Sequence, residues 1–256
     1  MKLRFVEMRP GRLLLAGVLA VGLMGSIWAW EKRGFVHSLT EPDFAHIEHL
    51  MMLAGEGRNP LALDELRGHA QDGRAEIQRA LGIALLARTD PEGFRWLEQA
   101  AQRGDRDAAF LLGNAYLQGI RLQRDYEASW RWFKQAAEAG HASAAYYLGI
   151  MSRSGYGVAP DALAAVAWFQ EAARLKSASG LFMLANAYRN GEGVPVDVKQ
   201  ALALYHEAAE MEHPESMQVL AMAYSHGEMG LQRDQSRANF YLFEGAHALT
   251  HRATLN

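Results

Sequence analysis

The chain has 256 residues and contains no cysteine. This absence excludes disulfide bonds, thiol catalysis and cysteine-ligated zinc, and it leaves the redox compartment open. Proline is scarce, with 7 residues, whereas half of all residues are apolar, which is enough for a buried core. The composition therefore gives no indication of disorder.

Most of the chain has no excess of basic over acidic residues. The formal net charge is −3, and residues 1–33 carry +4, so residues 34–256 carry −7. Proteins that bind nucleic acid need a basic face for the phosphates. The acidic balance therefore argues against nucleic acid as a partner.

Catalytic motifs are missing as well. No G-x-S-x-G nucleophile elbow occurs in the sequence. The Gly-x-Gly segments at residues 155–157 and 191–193 follow helical patterns rather than strands, and they lack the third glycine of a dinucleotide loop. The segment HEAAE at residues 206–210 has glutamate where a metalloprotease helix needs its second histidine. We expect no enzymatic activity and no cofactor.

Two pairs of histidines have helical spacing. His46 and His49 are at i, i+3, and His247 and His251 are at i, i+4. Each pair could present two imidazoles on one helix face, but the sequence places no third metal ligand beside either pair. An ordinary surface role is the favoured interpretation, and we predict no metal site.

One long uncharged run occurs, the 18 residues from Leu13 to Trp30. About 20 apolar residues span a bilayer, so this run is just long enough for a transmembrane helix. Four basic residues precede it, which predicts a cytoplasmic tail over 1–12, an anchor over 13–30 and a linker over 31–42. A cleaved signal peptide and a cytosolic protein are the alternatives, but Ile27 makes cleavage after Ala29 unfavourable. We expect a single-pass protein of the bacterial inner membrane with its C-terminal body in the periplasm.

The rest of the chain is built on a period of 36 residues. This period relates Leu112-Gly113, Leu148-Gly149 and Leu184-Ala185, and it also relates Ala136-Ala137, Ala172-Ala173 and Ala208-Ala209. A period of this length indicates stacked helical hairpins rather than one closed core.

Each unit is predicted to contain a first helix, A, and a second helix, B. In the clearest copy, helix A covers 181–189 and helix B covers roughly 198–211, because both show apolar residues at i, i+3, i+4 and i+7. An aspartate recurs where helix B begins and should cap it, at Asp125, Asp161, Asp197 and Asp234. One slot in helix A is always small, which implies close approach by helix B of the same unit, at Gly82, Gly113, Gly149, Ala185 and Ala221.

The segments at 144–173 and 180–209 resemble Sel-one-like repeats, a family related to tetratricopeptide repeats. The resemblance covers about four copies over 74–248, and residues 43–73 would form a degenerate capping hairpin with a tail at 249–256. Arg121, Leu175 and Lys176 depart from the repeat pattern. The resemblance implies an all-α protein, a right-handed α-solenoid of stacked helical hairpins. Together with the uncharged run at 13–30, it gives a predicted fold in which one N-terminal transmembrane helix precedes the solenoid. It further implies a protein-binding function and no catalysis.

A second column of helix A lies roughly 110–120° around from the core stripe, and the repeat leaves its identity free. Aromatic residues, arginine and methionine in such a column are typical of protein interfaces. In related solenoids helix A lines the concave surface, so we predict a partner-binding groove at Phe110, Asn114, Tyr146, Ile150, Arg153, Phe182, Asn186, Arg189 and Met222. For the aromatic residues Phe110, Tyr146 and Phe182, packing against helix B of the next repeat is an equal alternative, whereas exposure is favoured for Asn114, Arg153, Asn186 and Arg189.

The sequence thus predicts a membrane-anchored, non-catalytic module for protein–protein interaction. One hypothesis is an immunity protein that neutralises a secreted antibacterial effector in the periplasm. A second is a scaffold or adaptor for envelope or secretion assembly. A peptidoglycan-active or other hydrolase is the third and least favoured, because no nucleophile or catalytic metal site is visible.

Overall fold

A computed structural model describes residues 43–254 of the chain, with side chains over residues 43–250. All regular secondary structure in this range is α-helical. The helices are α1 Phe44–Ala54, α2 Pro60–Gln71, α3 Ala75–Ala87, α4 Glu92–Gln102, α5 Arg106–Gln118, α6 Tyr126–Glu138, α7 Ala142–Ser154, α8 Ala162–Arg174, α9 Ala178–Asn190, α10 Val198–Glu210, α11 Pro214–His226 and α12 Gln235–Thr254.

The helices form six consecutive hairpins, and each hairpin packs mainly on its neighbours in the chain. The buried apolar residues accordingly divide into three successive clusters rather than one central core. This is the organisation of an α-solenoid, in which each repeat contacts only the adjacent ones. The predicted stack of hairpins is confirmed for the described residues, while its handedness stays a prediction.

The predicted membrane anchor at 13–30 lies outside the described residues. Among the helices of residues 43–254, none combines the length and the apolar character that crossing a bilayer requires.

The four predicted aspartate caps are present, at the start of the B helices α6, α8, α10 and α12. Asp125, Asp161 and Asp197 each accept a hydrogen bond from the backbone N–H three residues later, at 2.9 Å in all three cases. Asp234 does the same for the N–H of Arg237 at 3.0 Å. Each carboxylate satisfies one of the N–H groups that a first helical turn leaves without a partner.

The loop between the two helices of a hairpin is closed by a backbone hydrogen bond. In the clearest copy, the N–H of Asp197 donates to the carbonyl of Tyr188 at 2.9 Å, and Gly191 ends α9 with a φ of 74°. Gly193 packs tightly against the preceding repeat, because a Cβ there would lie 2.3 Å from the carbonyl oxygen of Ala162. The second loop glycine therefore allows adjacent loops to stack. In the earlier copy Arg121 keeps the same left-handed backbone, and its guanidinium donates to the carbonyl of Leu86.

The helix A position that is always glycine or alanine lies against helix B of the same hairpin, as predicted. A Cβ on Gly113 would lie 2.6 Å from the ring of Phe133, and one on Gly149 would lie 2.3 Å from the ring of Phe169. Both rings are buried, so each glycine makes room for an aromatic side chain of the same hairpin.

The predicted tail begins at residue 249, and α12 continues through residues 249–254 to Thr254. The recurring alanine pair of helix B differs in burial between repeats. Ala137 is buried, whereas Ala173, its equivalent one repeat later, is only partly buried. The tighter contact in that copy is made by Ala172, because a Cβ on Gly180 of the next hairpin would lie 2.6 Å from the Cβ of Ala172.

Candidate partner-binding site

The predicted binding residues lie on four successive A helices, α5, α7, α9 and α11. We call their surface the A-helix face and define it by residues 110, 114 and 117 and their equivalents at 36-residue steps. These are Phe110, Asn114, Leu117, Tyr146, Ile150, Arg153, Phe182, Asn186, Arg189, Gln218, Met222 and Ser225. The A helices α7 and α9 contact each other directly, which makes the face continuous between those two repeats.

Exposure divides the nine predicted residues into two groups. Arg153 and Arg189 are exposed, and Met222 keeps half of its surface in solvent. The other six, Phe110, Asn114, Tyr146, Ile150, Phe182 and Asn186, are partly buried. Among the nine predicted residues, the accessible ones are therefore the two arginines and the methionine, and Gln218 of the same face is also exposed.

The aromatic residues of the face pack against neighbouring parts of the solenoid. The ring of Phe110 stacks on the ring of His141, the N-cap of α7, with centroids 4.2 Å apart and planes at 14°. Phe182 makes the equivalent contact with His213, the N-cap of α11, at 5.0 Å. Both rings therefore pack on the start of the next repeat's helix A and not on its helix B, which the alternative had named, and neither ring is fully buried.

The two asparagines are held by hydrogen bonds, and the expectation that they are exposed was wrong. Asn186 accepts a hydrogen bond from the hydroxyl of the buried Tyr205 at 2.6 Å. Asn114 accepts one from the side-chain amide of Gln118 at 2.7 Å. Half-buried polar groups need such partners, because an unpaired one costs free energy.

Tyr205 connects the core to the exposed arginine. Burial raises the pKa of its hydroxyl, and the nearby Arg189 guanidinium opposes that rise. The hydroxyl thus stays protonated and donates to Asn186, and Arg189 lies beside it. The Arg189 guanidinium is therefore close to the hydroxyl of Tyr205 while the side chain as a whole stays exposed.

The charge of the A-helix face differs from that of the chain as a whole. The face contains two arginines and no aspartate or glutamate, whereas residues 34–256 carry −7. Within residues 43–250, neither Arg153 nor Arg189 forms an ion pair with a carboxylate. Both guanidinium groups are available to an acidic group of a partner.

Sequence reasoning missed an apolar surface on the last helix. Phe240, Leu242, Phe243 and Leu249 of α12 are all more than half exposed. Leu242 is equivalent to Tyr205, which is buried in the preceding repeat, because the caps Asp197 and Asp234 are 37 residues apart. The repeat pattern predicts a buried residue at this position, but in the described part of the chain no further hairpin follows α12 to cover it.

The histidines lie in different surroundings from those that the sequence suggested. His46 and His49 do not belong to one group of potential metal ligands. Instead, Nε2 of His46 lies 2.9 Å from Oε1 of Glu65 in α2. His69 of α2 lies close to both and forms a cluster of three side chains with them. The side chain of His251 lies outside the described residues. His206 of the HEAAE segment contacts the hydroxyl of Tyr241 at 3.0 Å, which is a packing role.

A shallow pocket of about 600 Å³ lies on the loop side of the stack. It is lined by residues 122–127 with Tyr116 and Gly157. Burial raises the pKa of the Tyr116 hydroxyl, and the carboxylates of Glu98 and Asp125 add to that rise. The raised pKa favours the protonated form of this hydroxyl.

Stacked helical hairpins with a repeated, solvent-facing column on their A helices define a helical-repeat protein of the kind that binds other proteins. The Sel1 repeat family matches residues 90–105, 106–141, 142–177, 178–213 and 214–248, which is more than half of the chain. The chain therefore belongs to the Sel1 repeat family, and it carries five matched repeats where about four were expected. This family is generally a non-catalytic scaffold for protein interaction.

Solved structures agree with this assignment. A Sel1 repeat protein from Oxalobacter formigenes is 25% identical with a TM-score of 0.70, over 82% of this chain and 91% of that one. A protective antigen of uropathogenic Escherichia coli strains, which displays an SLR fold, is 30% identical with a TM-score of 0.67, over 73% of this chain. The match covers 41% of the antigen. An immunity protein from Pseudomonas aeruginosa shares the fold, with a TM-score of 0.53 and 14% identity over 85% of each chain.

Among curated proteins, an uncharacterised protein of Neisseria meningitidis serogroup B is 36% identical over 66 residues. The match covers 26% of this chain and 14% of the relative. It supports the repeat assignment only over that stretch.

Proposed function

We propose that the chain binds a protein partner on its A-helix face and that this partner is a secreted antibacterial effector, which the chain neutralises. The observation that carries the binding proposal is the pair Arg153 and Arg189. They occupy the same position in consecutive repeats, both are exposed, and no carboxylate of the face accompanies them. Arginine is enriched among the residues that dominate protein interfaces.

The surroundings of the two arginines fit an interface. Each lies beside a partly buried ring and a second partly buried side chain, Tyr146 with Ile150 and Phe182 with Asn186. The helices α7 and α9 contact each other, and packed helices lie about 8–10 Å apart, so the two arginines project from neighbouring helices of one face. A partner with two acidic groups at that spacing and an apolar surface around them would complement the face in both charge and shape.

The more specific part of the proposal is that binding neutralises the effector. The family is a protein-interaction fold, and an immunity protein is among the chains that share the fold. An anchor at 13–30 would hold the solenoid in the periplasm, where a secreted effector would meet it. An inhibitor of this kind would act by covering a functional surface of the effector in a complex of one chain with one effector.

The test begins with the products of the genes adjacent to the one that encodes this chain. Each product is expressed in the bacterial periplasm with and without the full chain, and survival is measured. We expect one product to be toxic alone and harmless beside the chain, and the purified pair to form a 1:1 complex. The proposal of immunity is wrong if no adjacent product is toxic or if the chain does not protect.

The face itself is tested with Arg153→Glu and Arg189→Glu, separately and together. Reversal of an interface charge at a partner carboxylate costs several kcal/mol, so we expect protection to be lost in the double variant. Arg95→Glu is the matched control, because Arg95 is an exposed arginine on the B helix α4. The melting temperatures of the variants must stay close to that of the wild type, so that the loss of protection reflects binding.

Unchanged affinity in the double variant would show that the partner binds another surface. Recovery of several envelope proteins without protection would favour the scaffold instead.

A further inference from the structure

The leading hairpin brings together three side chains with metal-binding chemistry. They are His46 of α1 and Glu65 and His69 of α2, and one potential ligand atom of each lies within 4.8 Å of those of the other two. His46 Nε2 and Glu65 Oε1 are 2.9 Å apart, and the rings of His46 and His69 meet edge to face with centroids at 6.3 Å.

The helical hairpin explains why these residues meet. Glu65 and His69 are at i, i+4, so they project from one face of α2. The two helices run antiparallel across a short turn, which places the first turn of α1 beside the last turns of α2. His46 is next to the buried Ile47, and His69 is next to the buried Ala70. The three polar groups therefore lie at the rim where the packed helices meet solvent.

The donor set fits one class of ion. Two imidazole nitrogens and one carboxylate oxygen are ligands that zinc binds at about 2.0–2.2 Å, usually in tetrahedral geometry. That geometry separates two ligand atoms by about 3.4 Å. Mg²⁺ and Ca²⁺ prefer sets composed of oxygen ligands. The side chains of His46 and Glu65 are 46% and 50% exposed, so rotation of the side chains can bring the three atoms to this separation without moving the helices.

We propose that His46, Glu65 and His69 form a zinc-binding site that clamps α1 to α2, with the fourth position left to water or to a group of a partner. The hairpin of α1 and α2 precedes the matched repeats and is the first hairpin of the described residues. Metal binding by ligands from two helices adds its free energy to folding. Zinc would therefore rigidify the first hairpin independently of the partner on the A-helix face.

A simple His46–Glu65 ion pair is the competing interpretation, and His69 distinguishes the two. An ion pair requires His46 and Glu65 alone, whereas a zinc site requires all three. His49 supplies a matched control, because it is an exposed histidine one turn further along α1 that lies outside the ligand group.

The experiment uses the untagged full chain after treatment with a chelator. Calorimetric titration with zinc chloride should show one ion per chain, and the melting temperature should rise with zinc concentration. His46→Ala, Glu65→Gln and His69→Ala should each lower zinc affinity at least tenfold, while His49→Ala stays close to wild type. Calcium and magnesium chloride should leave the melting temperature unchanged.

The melting temperatures of the variants without zinc show whether each remains folded. Because the altered side chains lie at the surface rim, we expect these temperatures to stay near that of the zinc-free wild type. The proposal is overturned if zinc does not bind, if His69→Ala binds it as tightly as wild type, or if His49→Ala weakens binding to the same extent.

Discussion

Gly149 and Gly68 are both glycines inside helices, and alanine should affect them in opposite directions. Alanine favours an interior helical position by about 1 kcal/mol relative to glycine. At Gly68 in α2 a Cβ would meet nothing within 4 Å, so Gly68→Ala should stabilise the chain by about 1 kcal/mol. At Gly149 in α7 the Cβ would lie 2.3 Å and 2.5 Å from two carbons of the Phe169 ring.

The cost at Gly149 follows from the packing around that ring. Carbon atoms in contact are normally about 3.5–4.0 Å apart, so the ring or the helix must move by more than about 1 Å. Phe169 is 2% exposed and has no open space to enter. Overpacking of this kind costs about 1–3 kcal/mol, so Gly149→Ala should destabilise the chain by about 0–2 kcal/mol after the gain in helix preference. The two variants should differ by about 1–3 kcal/mol, since the helix preference is common to both.

Urea unfolding followed by far-ultraviolet circular dichroism measures this difference. Combining Gly149→Ala with Phe169→Leu should restore part of the loss, because the smaller side chain gives the Cβ room, and contacting residues couple by about 0.5–3 kcal/mol. If Gly149→Ala raises the unfolding midpoint as much as Gly68→Ala does, the proposed contact between α7 and the Phe169 ring is wrong.

Two further predictions concern positions where the repeat carries an unusual residue. Lys176 has a φ of 64° where the preceding repeat has Gly140, so Lys176→Gly should raise the melting temperature and stabilise the chain by about 1 kcal/mol. Its exposed ion pair with Glu207 at 3.7 Å offsets little of that gain, and an unchanged melting temperature would contradict the strain argument. Burial lowers the pKa of His141, with the nearby Asp107 opposing and Arg106 adding to the effect. Just below pH 6.5, His141 therefore binds a proton more readily in the unfolded chain than in the folded chain. The stability that neutral His141 contributes is complete above that pH and is lost as the pH falls toward the pKa of the folded state. His141→Asn keeps a hydrogen-bond acceptor for the first turn of α7 but removes the titrating group. The melting temperature of this variant should therefore fall less than that of the wild type between neutral and acidic buffer. An identical fall in both proteins would count against this role of His141.

Much of the fold follows from local sequence pattern. The 36-residue period, the aspartates at 125, 161, 197 and 234 and the small slot of helix A each act within one hairpin, and each predicted structure is present. The Gly149 contact is an example, because residue 169 lies only twenty positions away in the same repeat. Such contacts recur at fixed spacing and are visible in a single sequence.

The candidate site was predicted only in part, because exposure depends on the neighbouring repeats. Helix geometry assigned Arg153 and Asn186 to the same face, but it did not indicate that Asn186 would meet the Tyr205 hydroxyl while Arg153 stayed exposed. Phe110 is partly covered by His141, which caps the first helix of the following repeat. The amount of surface left on each side chain is set by stacking between hairpins.

The sequence by itself determined the repeat, the positions of the helices and their caps, since these depend on hydrogen bonds and apolar spacing over a few turns. The tertiary structure decided which side chains of the A-helix face remain accessible and left Leu242 of α12 exposed. It also joined His46 to Glu65 and His69, two residues about twenty positions away on the adjacent helix. Helical periodicity describes one helix at a time, whereas a ligand group shared by two helices depends on how their faces are rotated and aligned when they pack.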